Sequence, residues 1–135
     1  MAFGKTGYTD KCRSIVGALQ YAAITRPGIN FAVNKVNQYM AKPLETHWRA
    51  VKRILRYLSG TLDHGIQIRK STSDISAFSD SDWASDLDDR RSTTGVCAYH
   101  GRNLVSWCVK KQTVVARSST ETEYKSLTQA AAEVR

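Results

Sequence analysis

Three acidic side chains in this sequence have the types and spacing that metal-dependent chemistry requires. Asp80 and Asp82 are separated by one residue at the end of a predicted β-strand. Because side chains two apart on a strand point to the same face, the two carboxylates project together. Paired carboxylates can share hard cations such as magnesium. Most such pairs are solvated or structural, so a metal site needs at least one further acid.

Glu123 is the candidate for that further acid. Ser118 followed by Glu121 matches a capping box, which predicts that a helix begins there. Glu121 lies four residues before Lys125, a spacing that favours a local ion pair. Glu123 shares a helical stripe with three apolar residues that we expect to face the sheet: Leu127, Ala130 and Val134. A carboxylate on such a stripe is costly unless it is paired or binds a metal, so Glu123 is the stronger functional candidate.

The elements that must position these acids change character near residue 62. Before it, apolar residues recur at helical spacing and predict three helices. We expect the first helix to begin at Asp10 as its N-cap, the second to have Pro27 in its first turn, and the third to begin at Thr46 as its N-cap. The apolar stripe of the second helix is Ile29, Val33, Val36 and Met40, and that of the third is Trp48, Val51, Leu55 and Leu58. Both stripes are typical of a core.

Beyond residue 62 the apolar period changes to two, which predicts strands. The expected strands are residues 66–69, a run that ends at Asp82, and residues 96–99, 104–109 and 113–116. We therefore predict an α+β chain with two parts. Residues 1–62 form a helical segment, and residues 63–135 form an antiparallel meander followed by a helix.

The charge of the chain points to nucleic acid as a partner. Twenty Lys and Arg residues against twelve acidic residues give a net charge of +8, which attracts polyanions. Four cations lie along one side of the predicted third helix, where they could track the phosphates of a duplex: Arg49, Lys52, Arg53 and Arg56. A solvated helix face is the alternative. The sequence contains no run of 18 apolar residues that would predict a membrane span, and we expect no membrane partner.

The three cysteines favour a reducing compartment, which would be the cytoplasm or the nucleus. They are odd in number and lack CxxC spacing, so neither a disulfide framework nor a zinc site is indicated. The basic start of the chain, followed by the apolar run at residues 14–24, loosely resembles a secretory leader. A helix explains the same run.

Several stretches of the chain carry a resemblance to a known family. Four lie in the second part: residues 79–84 (SDSDWA), residues 88–95 (DDRRSTTG), the two pairs 106–107 (SW) and 111–112 (KQ) of the next stretch, and residues 117–124 (RSSTETEY). They resemble the ribonuclease H domain of Ty1/copia-type retrotransposon Pol polyproteins. Upstream matches are residues 21–27 (YAAITRP), 47–48 (HW) and 52–61 (KRILRYLSGT). These resemble the segment that joins reverse transcriptase to ribonuclease H.

The resemblance implies a truncated ribonuclease H-like fold and a specific chemistry. Such enzymes cleave the RNA strand of an RNA/DNA hybrid with two Mg²⁺ ions held by four acids. Asp80 matches the first-strand acid and Glu123 the helix acid, while Asp82 would tune the site or ligate directly. The third and fourth acids of the family would lie beyond Arg135. We therefore expect this chain alone to bind the hybrid without cleaving it.

Two other functions remain open. The residues Arg53, Ile54, Leu55 and Arg56 fit the RxLR pattern, which resembles the host-translocation motif of secreted oomycete effectors. Under that hypothesis the chain is secreted, enters the cytoplasm or nucleus of a plant cell, binds a host protein and suppresses cell death. The third possibility is a nucleic-acid-binding module without catalysis, in which the basic helix grips a duplex.

Overall fold

A computed structural model describes residues 5–135, with side chains from residue 9 onward, in two compact units that divide between residues 66 and 67. The elements in chain order are α1 (Lys5–Ala22), α2 (Pro27–Asn37), α3 (Glu45–Ser59), β1 (Ile75–Ser81), β2 (Thr93–His100), β3 (Asn103–Lys111) and α4 (Ser119–Glu133). The predicted α+β class and the order of helices, antiparallel meander and final helix are confirmed. Within residues 5–135 no helix has the length and apolar character needed to cross a bilayer.

The first unit is a three-helix unit with one apolar core. Its buried side chains are Cys12, Val16, Leu19, Ala23, Ile29, Val33, Val36, Met40, Val51 and Ile54. The predicted stripe of α2 is therefore confirmed at all four positions. On α3 the prediction is wrong at Leu55, which is 37% exposed, because Ile54 is the residue turned into the core. Adjacent helical residues differ by about 100° around the axis, so only one of the two can face inward.

Two predicted helix starts in the first unit are wrong. α1 already begins at Lys5, so Asp10 lies inside the helix rather than at its N-cap. α3 begins at Glu45 with Leu44 as its N-cap residue. The Leu44 backbone N–H donates to His47 Nδ1 at 3.0 Å, so an imidazole satisfies the end of the helix that Thr46 was expected to cap.

The second unit is an antiparallel sheet in the order β1-β2-β3, with α4 packed against β1 and β2. Its buried β2 residues alternate at Thr94, Val96 and Ala98. The strand expected at residues 66–69 is absent from the described sheet. Instead, the Asn103 side-chain amide accepts a hydrogen bond from Arg69 N–H and donates one to Arg69 C=O. One side chain thus takes the place of a neighbouring strand. Residues 113–116 likewise form no strand.

Replacing Gly101 with Ala is expected to destabilise the second unit by about 2 kcal/mol or more. Gly101 has φ +58°, and an added Cβ would lie 2.2 Å from Ser71 Oγ. The left-handed backbone alone costs an L-residue roughly 1–2 kcal/mol, and the clash adds to it. Gly17→Ala is the matched control, because it meets no atom within 4 Å inside α1 and should stabilise by about 0.5–1 kcal/mol. Urea unfolding of both variants measures the difference, and equal midpoints would contradict the expectation.

Candidate functional site

A contact between β1 and α4 brings together the two segments that carry Asp80 and Glu123. Ser79 Oγ lies 3.3 Å from Ser126 Oγ, one residue before Asp80 and one helical turn beyond Glu123. On a strand, neighbouring side chains point to opposite faces, so Asp80 projects away from the face that contacts α4. Neither carboxylate takes part in a hydrogen bond or ion pair with the side chains described, which are those of residues 9–135. The structure therefore places the two backbones side by side and leaves both acids unpaired.

The predicted orientation of Glu123 is wrong. Glu123 is exposed, as are Leu127 and Val134 of its expected core-facing stripe; only Ala130 of that stripe is buried. The buried face of α4 consists of small residues at i, i+4 and i+8: Thr122, Ser126 and Ala130. The two hydroxyls bond to helix carbonyls, Thr122 Oγ1 to Ser119 at 2.6 Å and Ser126 Oγ to Glu123 at 2.9 Å. Their polarity is thus satisfied locally, which permits their burial against the sheet.

Asp82 has a structural partner. Its carboxylate accepts a hydrogen bond from Thr93 N–H at 2.5 Å, and its own N–H donates to Thr93 C=O at 3.1 Å. These two bonds close the ladder where β1 ends and β2 begins. One carboxylate oxygen of Asp82 is therefore already committed to the backbone.

Magnesium does not fit the described residues by themselves. Within residues 5–135 no three His, Cys, Asp or Glu side chains form a group that could hold a metal ion. A hard cation takes six or more oxygen ligands. The resemblance to ribonuclease H implies a site in which four acids supply some of them. Asp80 and Glu123 could supply two of those acids, and no catalytic step follows from them alone.

The acidic loop between β1 and β2 is organised around a lysine from β3. Lys111 Nζ lies 2.8 Å from Asp86 Oδ2 and 2.9 Å from Asp89 Oδ2, and Asp86 is buried. The hydrogen bond from Lys111 to Asp89 holds the pKa of Asp89 below its ordinary value, although burial acts in the opposite sense. Burial alone would lower the pKa of Lys111, but its hydrogen bonds to Asp86 and Asp89 outweigh burial and raise the pKa. This part of the acidic cluster is thus a structural ion-pair network.

Other residues of the four stretches form further hydrogen bonds that hold the second unit together. Trp83 Nε1 donates to Ala116 C=O at 3.2 Å, and Ala84 N–H donates to the fully buried Ser92 Oγ at 3.0 Å. Gln112, the residue after β3, donates from Nε2 to Thr94 Oγ1 and to Thr122 C=O, which links it to β2 and α4. Sequence reasoning assigned none of these roles. The stretches therefore encode a scaffold as well as the two candidate acids.

The cationic face of α3 is formed as predicted. Arg49, Lys52, Arg53 and Arg56 are all exposed on one side of the helix. Arg49 lies 4.0 Å from Glu45, and Lys52 Nζ lies 5.8 Å from the centre of the Trp48 ring. Among the side chains that the structure describes, residues 9–135, Arg53 and Arg56 make no hydrogen bond or ion pair. These two arginines are therefore the most available cations of the face.

Positive charge is concentrated in the helical part of the chain. Residues 1–66 contain ten Lys and Arg residues against three acidic residues, and residues 67–135 contain ten against nine. The first part thus carries nearly all of the net charge of +8. The exposed face of α3 lies in the part of the chain whose field attracts polyanions.

The RxLR pattern lies inside α3 and has no extended conformation. Arg53, Leu55 and Arg56 are exposed, whereas Ile54 is buried in the helical core. Three of its four positions are therefore accessible on the folded unit.

This chain is similar to several known proteins. It is 52% identical over 124 residues to a retrovirus-related Pol polyprotein from transposon RE2 of Arabidopsis thaliana, which covers 91% of this chain and 8% of the polyprotein. It is 52% identical to an uncharacterized mitochondrial protein of the same plant, over 90% of this chain and 51% of that protein. It is also 44% identical to Secreted RxLR effector protein 161 of Plasmopara viticola, over 89% of this chain and 86% of the effector.

These similarities show that the chain belongs to the family of copia-type retrotransposon Pol polyproteins and the short proteins related to them. The chain spans less than a tenth of the length of the polyproteins, matching 8% and 9% of two of them. No protein-family model matches the chain, and no solved structure is significantly similar to it.

Proposed function

We propose that this chain binds RNA/DNA hybrid through the cationic face of α3, and that residues 67–135 are part of a ribonuclease H-like domain. The observation that carries the proposal is the exposure of all four cations on one helix face, in the part of the chain that holds the excess positive charge. The Pol family to which the chain belongs supports a nucleic-acid partner. The cytoplasm or the nucleus would be the place of action.

The dimensions of the face suit a nucleic-acid backbone. Arg49 to Arg56 span seven residues of helix, or about 10 Å at 1.5 Å per residue. Phosphates along one strand of a duplex recur about every 3.4 Å of helix axis. Four cations over this length can therefore contact about three successive phosphates of one strand. Such contacts position the chain and read no base sequence.

Asp80 and Glu123 are proposed as two acids of the metal site that the family resemblance implies. Support comes from the match of both residues to the family motifs and from their exposure. Neither carboxylate has a hydrogen bond or ion pair with the side chains that the structure describes, residues 9–135. The described residues contain no third acid in the same group. We therefore propose that this chain alone binds the hybrid and leaves its RNA strand intact.

Incubating the chain with a labelled RNA/DNA hybrid and Mg²⁺ tests both parts of the proposal. The expected result is a retarded complex at low salt that contains full-length RNA. Robust Mg²⁺-dependent cleavage that Asp80→Asn abolishes would overturn the non-cleaving part. Absence of any complex at low salt would overturn the binding part.

A second candidate function is that of a secreted RxLR-type effector that enters plant cells and suppresses cell death. The similarity to Secreted RxLR effector protein 161 over 86% of that protein favours it. The exposed Arg53 and Arg56 are the residues that would act in host entry. Fusing residues 1–26 to a reporter tests the first requirement, because an effector needs a route out of the cell. Retention of the reporter inside the cell would count against this function.

A further inference from the structure

An apolar groove lies between α2 and α3 of the first unit. It has a volume of about 430 Å³, and its walls include Ile29, Phe31, Ala32, Arg53, Ile54 and Tyr57. Ligand sites typically measure about 300–1,000 Å³ and combine apolar walls with a few polar groups. We call this cavity the α2–α3 groove.

Two aromatic rings flank the α2–α3 groove and remain accessible. Phe31 on α2 is 57% exposed and Tyr57 on α3 is 50% exposed. A Cβ added at Gly28 would lie 3.4 Å from the Tyr57 hydroxyl, so the small residue lets this side chain approach α2 closely. A single exposed aromatic residue needs no explanation, but two on the walls of one groove offer two ring faces to one ligand.

Cations line the same groove. Lys35 and Arg53 both contribute to its walls, and Arg53 also belongs to the cationic face of α3. The groove is therefore continuous with the surface that we propose for phosphate binding. Accessible rings beside cations are the pattern of surfaces that bind single-stranded nucleic acid, in which bases stack and phosphates contact the cations.

We propose that the α2–α3 groove takes unpaired bases of a single-stranded segment whose phosphates lie on Arg53 and the cationic face. This inference rests on the proposed function and adds to it that the chain also binds single-stranded nucleic acid, in addition to the RNA/DNA hybrid. The bases stack on Phe31 and Tyr57. Because every base has a π-face, the groove binds single strands with little dependence on base sequence.

The test compares three nucleic acids against the full chain. They are an all-thymine DNA oligonucleotide, an abasic oligonucleotide with the same number of phosphates, and a blunt RNA/DNA hybrid. The variant Phe31→Ala with Tyr57→Ala removes both rings. Tyr57→Phe keeps a ring at its position, and Tyr21→Ala is the matched control because Tyr21 is an exposed aromatic residue of α1 outside the groove. Circular dichroism confirms that each variant retains its helices.

The double alanine variant is expected to lose at least about fivefold in affinity for the thymine oligonucleotide, since one stacked base contributes that much or more. Its affinity for the abasic oligonucleotide and for the blunt hybrid should stay within about twofold of that of the original chain, because neither offers an unpaired base to stack. A twofold change is smaller than the loss expected for even one stacked base. Tyr21→Ala should bind all three as the original chain does. Tyr57→Phe, which keeps a ring for stacking, should bind the thymine oligonucleotide more tightly than the double alanine variant does. Equal affinity of the original chain for thymine and abasic oligonucleotides would overturn this inference. If the blunt hybrid still bound, the proposed function would stand; if nothing bound, both would fail.

Discussion

Replacing Lys111 with Met is expected to lower the free energy of unfolding of the second unit by about 3 kcal/mol. The substitution removes the Lys111 ammonium group, whose Nζ lies 2.8 Å from Oδ2 of the buried Asp86 carboxylate. Removing one partner of a buried ion pair typically costs about 3–5 kcal/mol. The lower end applies because the Lys111 side chain is 21% exposed, and because Asp86 still accepts a hydrogen bond from Asp88 N–H.

Lys110→Met is the matched control for this prediction. Lys110 is adjacent in β3 and exposed, so its replacement should change stability by no more than about 0.5 kcal/mol. Urea unfolding measures the two free energies, and hydrogen exchange of residues 93–111 assigns the loss to the second unit. Equal stability of the two variants would show that the Asp86–Lys111 pair does not hold the acidic loop.

Replacing Arg53 and Arg56 together with Glu is expected to weaken binding to RNA/DNA hybrid by at least about 60-fold at 0.1 M salt. Each phosphate contact contributes a salt exponent of about 0.9, so two lost contacts account for about 60-fold at this concentration. Repulsion between the new carboxylates and the phosphates adds to the loss. Both arginines are exposed, so the folded unit should tolerate the change.

A control with the same change in net charge separates a local contact from the overall field. Lys70→Glu with Arg102→Glu makes this change at exposed residues of the second unit. If binding is a local contact of the α3 face, this control should lose far less affinity, because its two residues do not belong to that face. Fluorescence anisotropy with a labelled hybrid measures both affinities. Similar losses in the two double variants would mean that the α3 face is not the contact surface.

The pattern of the sequence was sufficient for the local features of the fold. The core stripe of α2 follows from helical spacing. The start of α4 follows from its cap, since Glu121 N–H donates to Ser118 Oγ at 3.2 Å. The predicted Glu121–Lys125 pair is confirmed at 2.7 Å, and this bond, with a second from Arg117 N–H, lowers the pKa of Glu121. Each of these features depends on residues within a few positions of one another.

Features that depend on the register of distant segments could not be predicted. Asp86 and Lys111 are 25 residues apart, and their pairing requires the alignment of β2 with β3. The prediction of which face of α4 contacts the sheet was wrong because Ala130 belongs to both candidate stripes, the expected one with Leu127 and the observed one with Ser126. Hydropathy favours Leu127, whereas the structure buries Ser126, whose hydroxyl is satisfied by a bond within the helix. Such a bond allows a small polar residue to replace a larger apolar one at a close approach to a sheet.

The salt dependence of hybrid binding tests the central claim most directly. With the cations of α3 on three to four phosphates, the logarithm of the association constant should fall with the logarithm of salt concentration with a slope of about −2.7 to −3.6. The Arg53→Glu, Arg56→Glu variant should flatten this slope by about two. A slope shallower than about −1 for the original chain, or the same slope for the variant, would contradict nucleic-acid binding by this face.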